Sequence, residues 1–382
     1  MRLLFVAGPA PSDIYAVAPL ATAARAAGHQ VLMSTPKELT PVVTGVGLPT
    51  VATTTTPIPD IRATRRSGER EVVPDDVDHP EFIQYTGRWF GRLAAETLVR
   101  LREVAAAWRP YVVVTGPHAY AGALLAHELS VPWIRHTWTV LDTVGIHVGS
   151  EGELAPELAE LGLDRIPGPD LLIDNCPPGI RPADASPAQQ IRYVPVNARR
   201  PAEPWMYTRG ERRRVCVTGG CMAALDDGFE LIRGVVRQLA EWDAEVVIPA
   251  PRKVAHALRA EFGDIRAGWI PLDVLMPTCD LIVHDAGGVP GLTGLTAALS
   301  GVPQLLMPQE KKVHTAARLV AEYGAAVTLL PDEVSTDSVG KGIRELLSAP
   351  SYADRAQALA QEIARMPSPA EALGTVEHLA RR

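Results

Sequence analysis

Asp13 stands at the end of the loop Gly8-Pro9-Ala10-Pro11, directly after the apolar run Leu3 to Ala7. A carboxylate at the tip of a buried strand faces ligand in open α/β sheets, and there it can take a proton from a hydroxyl group. Ser12-Asp13 ahead of a helix also reads as an N-cap pair. Asp142, in the loop Trp138-Thr139-Val140-Leu141-Asp142, is the second candidate, with His136 and His147 flanking that loop. Each of these histidines alone reads as a solvent- or backbone-bonded side chain. A different chemistry is suggested by Leu281 to Val283, an apolar run ending in His284 and followed by Asp285-Ala286-Gly287-Gly288 before the helix-like run Leu292 to Leu299. A strand that opens through glycines into a helix exposes backbone N–H groups to anionic oxygens. Its plain alternative is a structural turn with a hydrogen-bonded His.

The segments around that loop carry a resemblance. Gly268-Trp269-Ile270-Pro271-Leu272, Pro277-Thr278-Cys279-Asp280, Gly301-Val302-Pro303-Gln304 and Pro308-Gln309 resemble the donor half of nucleotide-sugar glycosyltransferases with the GT-B fold. Specifically, they resemble bacterial enzymes that decorate polyketide antibiotics, of the angucycline (urdamycin and landomycin) type. The opening MRLLFVAG, Ala18-Pro19-Leu20, Gly28-His29, Trp108-Arg109-Pro110, Cys176-Pro177-Pro178 and Met366-Pro367 extend it along the chain.

The resemblance implies an inverting, metal-independent glycosyltransferase that moves an olivose-like deoxysugar from a TDP-sugar to an aromatic polyketide aglycone. O-transfer is favoured over C-transfer. It implies no cofactor, the TDP-sugar being a co-substrate, no nucleic-acid or membrane partner, and it leaves a homodimer open. The nucleotide base is expected against Trp269 and Ile270, although Trp269 also reads as a core aromatic. The diphosphate is expected between Gly219-Gly220 and the segment His284, Ala286, Gly287 and Gly288, with Gln309 also at the donor. Asp13 and Asp142 are the expected catalytic residues, with acceptor contacts from Ser12, Ile14, Trp89, Phe90 and Trp138.

The chain departs from its relatives at Asp285, where a second His is common, at Pro290-Gly291, where Gly-Thr is common, and at Lys312-Val313, where Asp-Gln commonly reads sugar hydroxyls. Asp285 repels a diphosphate unless turned away or protonated, and Pro290 removes an N–H donor. A donor poor in hydroxyls suits a pocket without Asp-Gln. The same departures suit a catalytically silent glycosyltransferase-like auxiliary or binding protein. A nicotinamide-dependent enzyme has little support, because neither Gly8-Pro9-Ala10-Pro11 nor Gly219-Gly220-Cys221 gives Gly-x-Gly-x-x-Gly.

The remaining residues must build a frame for these groups. A chain of 382 residues suits two domains. The net charge of −7 without a sustained basic cluster argues against nucleic acid, and Arg212-Arg213-Arg214 reads as a solvated linker. No apolar run approaches ~20 residues, so a cytoplasmic protein is expected. The cysteines Cys176, Cys216, Cys221 and Cys279 lack metal-ligand spacing and read as reduced.

Strand, helix and strand follow in order over Leu3–Ala7, a helix through Ala27 closed by Gly28, and Gln30–Thr35, the βαβ rhythm of a parallel sheet. Residues 53–79 read as one long loop, and the stripe from Phe82 to Trp108 as a helix. Pattern fades between Pro182 and Arg214 and restarts at Val215 to Thr218. The expectation is α/β: two Rossmann-like, doubly wound domains facing a cleft. They are an acceptor domain over 1–200, a nucleotide-sugar domain over 213–365, and a helix over 366–382 crossing back to the first domain.

Overall fold

A computed structural model of the chain describes residues 1–138, 144–198, 200–219, 226–240, 242–285 and 291–381. Asp142, Gly220, Ala286, Gly287 and Gly288 lie outside the described residues.

Two all-parallel sheets form the frame. The first contains β1 (Arg2–Val6), β2 (Gln30–Pro36), β3 (Thr50–Thr54), β4 (Val112–Thr115), β5 (Trp133–Thr137), β6 (Leu171–Asp174) and β7 (Gln189–Gln190), in the order β3-β2-β1-β4-β5-β6-β7. The second contains β8 (Arg213–Thr218), β9 (Ala244–Pro249), β10 (Arg266–Gly268), β11 (Leu281–His284), β12 (Gln304–Leu306) and β13 (Ala326–Thr328), in the order β10-β9-β8-β11-β12-β13.

Val-Val-Val-Thr in β4 and Leu-Ile-Val-His in β11 are buried along their whole length, as a parallel strand covered by helices on both faces requires. Within β1, Leu3 and Phe5 enter one apolar cluster while Leu4 and Val6 enter another, so alternate residues fill the two faces. In each sheet the strand order reverses beside the first strand, between β1 and β4 and between β8 and β11. Ligands bind outside the carboxyl ends of strands at such reversals.

Two segments that read as unstructured carry structure. Residues 53–79 hold the helix Ile58–Ala63 and a bridge between Thr64 and Arg70. They are tied down by buried Glu71, which meets Arg88 at 2.6 Å and Arg92 at 2.7 Å on the helix Pro80–Ala107. The stretch 182–214 supplies β7, buried Ile191 and Tyr193, and the short helix Pro204–Tyr207. Its apolar residues are too sparse for a periodic signal, yet Ile191 packs into the core around β1 and Met206 into a core of the second sheet.

The helix Pro369–Leu379 is capped by Ser368 and Glu371, and it places Ala372, Leu373 and Val376 in the core around β1. Glu377 on that helix meets His29 at 2.7 Å. Among the described residues, no helix is long and apolar enough to cross a membrane.

Candidate active site

The helix Pro11–Ala26 begins immediately after β1, with Ala10 as its N-cap and Asp13 in its first turn. Asp13 Oδ2 accepts the Ala10 N–H at 2.8 Å, so the carboxylate reaches back to the cap while the Ser12 side chain makes no cap bond. Gly8 makes room for it: a Cβ on Gly8 would lie 2.5 Å from Asp13 Oδ2. The residue is half-buried, and loss of water around the carboxyl pushes its pKa up to about 7, opposed by the Ala10 N–H. A carboxyl poised near neutrality at a strand tip is suited to proton transfer.

A cavity of about 370 Å³ opens between the two sheets' C-terminal ends. Ser12 and Tyr15 come from the first half, and Thr218, Pro251, Trp269, Ile270, Leu292 and Thr293 from the second. Three helices start at its wall: Pro11–Ala26 through Ser12, Arg252–Phe262 through its N-cap Pro251, and Gly291–Leu299 through Leu292 and Thr293. Their partial positive charges favour an anion there. Trp269 is 49% exposed, which makes it a surface ring at the cavity edge and not a core aromatic. Ile270 is buried behind it, and Gly219 follows the last residue of β8.

Tyr193 joins the halves, its hydroxyl donating to the Leu292 carbonyl at 3.2 Å and meeting Thr296 Oγ1 at 3.1 Å. Asn197 Nδ2 donates to Asp273 Oδ1 at 2.6 Å. Neither residue has a spacing signal in sequence, because each acts by crossing from the connecting segment to the second sheet's helices.

Several expected contacts are placed differently. His284 is 2% exposed, its Nε2 is 2.9 Å from Gln304 Oε1, and burial pushes its pKa down to about 4. That nitrogen is engaged by Gln304. Ile14 is fully buried in the core around β1 and offers an acceptor no surface, because its position on the helix turns it onto the sheet. Gln309 is exposed and its Nε2 donates to the Met307 carbonyl at 2.8 Å.

Trp89 is buried, covered by the Arg62 guanidinium at 5.4 Å and stacked on Phe90 at 4.0 Å. Phe90 continues the stack to His118 at 4.8 Å. Trp138 is buried against the same core as Ile14 and lies over Gly116. His136 is buried, not solvated, and its pKa falls to about 4 for that reason. Among the described residues, no cluster of His, Cys, Asp or Glu is arranged to hold a metal ion.

Comparison with known proteins decides the family. The Erythromycin biosynthesis protein CIII-like N-terminal domain matches residues 22–220 and the C-terminal domain of that family matches residues 233–379. The chain belongs to this family. It is 31% identical to the L-demethylnoviosyl transferase of Streptomyces niveus, over 97% of this chain and 96% of that protein. The glycosyltransferase SsfS6 of Streptomyces sp. SF2575, solved with thymidine diphosphate, superposes with a TM-score of 0.84 at 33% identity, covering 99% of each chain. The spinosyn rhamnosyltransferase SpnG, solved with spinosyn aglycone, gives a TM-score of 0.84 at 29% identity, covering 99% of this chain and 100% of its own. The two sheets are thus the Rossmann-like domains of a GT-B fold, and the protein is a glycosyltransferase.

Proposed function

We propose that this glycosyltransferase is inverting and metal-independent, moving an olivose-like deoxysugar from a TDP-sugar to an aromatic polyketide aglycone, with O-transfer favoured. The observation that carries the reading is the interdomain cavity, walled on one side by the turn that bears Asp13 and on the other by the second domain's helix starts. The diphosphate of a TDP-sugar suits converging helix N-termini, which neutralise developing charge without a metal. Trp269 and Ile270 suit the thymine. The thymidine diphosphate bound by SsfS6 supports this assignment of the donor half.

Asp13 takes the proton of an acceptor hydroxyl while that oxygen attacks the anomeric carbon and the diphosphate leaves toward the second domain. A single displacement with base and leaving group on opposite sides inverts the anomeric centre. A deoxysugar is favoured because Lys312-Val313 stands where hydroxyl-reading Asp-Gln is common in the resembling enzymes. The angucycline-type acceptor rests on the motif resemblance.

The test is incubation with TDP-deoxysugars and tricyclic or tetracyclic aglycones in excess EDTA, read by mass spectrometry and followed by warm acid. An acid-labile product carrying one deoxysugar is expected. Activity that requires added magnesium or manganese overturns the metal-independent mechanism, and an acid-stable product overturns O-transfer.

A further inference from the structure

His118 lies beyond the tip of β4, at the strand-order reversal that also holds Gly8 and Asp13. Its ring stacks on Phe90 with centroids 4.8 Å apart, while its Nε2 is buried without a hydrogen-bond partner. Buried polar atoms are nearly always paired, so an orphan calls for an explanation. A small cavity of about 10 Å³ adjoins it, walled by His118, Phe90, Gly8, Pro36, Leu93 and Thr97. That is close to the volume needed for one water-sized atom. Gly8 belongs to this cavity wall and also abuts the Asp13 carboxyl, so the two features are separated by a single residue that lacks a side chain.

We infer that His118 and this cavity form a subsite for one oxygen atom, a hydroxyl or carbonyl on the acceptor ring next to the oxygen that attacks. The inference rests on the acceptor reading proposed above and adds a specificity-determining residue to it. Burial, with Arg135, His147 and Lys312 adding to it, pushes the His118 pKa down to about 3, so the ring is neutral at physiological pH. A neutral imidazole offers one N–H and one lone pair, and so can pair with either a carbonyl or a hydroxyl. Phe90 holds the imidazole plane, and Thr97 and Tyr120 are the other hydroxyl-bearing residues of the wall. An acceptor lacking that oxygen leaves the nitrogen unpaired and is disfavoured.

The experiment compares alizarin, which carries two adjacent ring hydroxyls, with the monohydroxyanthraquinone lacking one of them, using a TDP-deoxysugar the wild type accepts. Wild-type kcat/KM is expected to favour alizarin by about ten- to a hundredfold. His118→Phe, which keeps the stack on Phe90 and removes the nitrogen, should bring the two acceptors within about threefold, and His118→Asn should restore part of the preference. TDP affinity and melting temperature, measured in parallel, should stay near wild type. Undiminished preference in a folded His118→Phe variant overturns the subsite and leaves the proposed reaction standing. A wild type that glycosylates neither compound with any TDP-deoxysugar overturns the proposed acceptor class, and the subsite with it.

Discussion

Gly8 and Asp13 are in a contact that no other residue at position 8 permits, since a Cβ there would lie 2.5 Å from Asp13 Oδ2 and 2.7 Å from Cγ. The carboxylate, held to Ala10 N–H at 2.8 Å, has no room to retreat without breaking that bond. Gly8→Ala is therefore expected to lower kcat/KM by about a hundredfold, the scale of a 1 Å misplacement. Thermal melts should show a folded protein. Turnover within about threefold of wild type would mean that the carboxylate's position does not govern the rate.

The raised pKa of Asp13 has two consequences of opposite use. Above about 7 the carboxylate is ionised and able to take a proton, so kcat/KM should rise with pH and level off beyond an inflection near 7. Stability moves the other way: the folded state holds the proton more tightly than the unfolded state, so this contribution is present below about pH 3.8 and lost as pH rises through 7. Melting temperatures of Asp13→Asn should accordingly gain on wild type across that window. A flat difference would show that the carboxyl titrates normally.

His284 and His136 are buried in neutral form, each with its pKa pushed down to about 4 from the usual 6.5. Below pH 6.5 the unfolded chain binds protons that the folded chain refuses, so stability present above 6.5 is lost as pH falls toward 4. His284→Ala also strands Gln304, and about 1–3 kcal/mol of stability should be lost. Denaturation curves at pH 7.5 and pH 5 check both, and the variant's pH dependence should be shallower than that of wild type. A stable variant with abolished TDP binding would instead return His284 to the diphosphate.

Trp269 projects into solvent at the cavity edge, so its truncation should leave folding nearly unchanged. If the thymine stacks on it, Trp269→Ala should weaken TDP binding by about two- to tenfold, the range of an aromatic pair worth about 0.5–1.5 kcal/mol. Calorimetry giving unchanged affinity would remove it from the site.

The strands, the two doubly wound sheets and the turn at Asp13 were legible because buried parallel strands read as short apolar runs ending in glycine or polar tips. His284 shows where such reading stops. A His at a strand tip looks the same whether it faces the cleft or Gln304, and only the packing of β12 and Gly294 around the ring decides. Ile14 illustrates the same limit on a helix, since its neighbours Ser12 and Tyr15 line the cavity while Ile14 turns into the core. Glu71 was hidden for another reason: a charge in a polar stretch reads as solvated, and its burial depends on Arg88 and Arg92 brought from a later helix. His118 carried no spacing signal at all, because its significance comes from Phe90 and Gly8, distant in sequence and adjacent in the fold.

The role proposed for Asp13 is that of the base of glycosyl transfer, beyond its part in the helix start. The direct measurement is single-turnover and steady-state rate in Asp13→Asn, whose side-chain oxygen can still accept the Ala10 N–H, alongside its melting temperature. A rate loss of about 10²–10⁴ is expected in a protein at least as stable as wild type, with TDP affinity retained. Near-wild-type turnover in that variant, or a rate loss explained by unfolding, would contradict it.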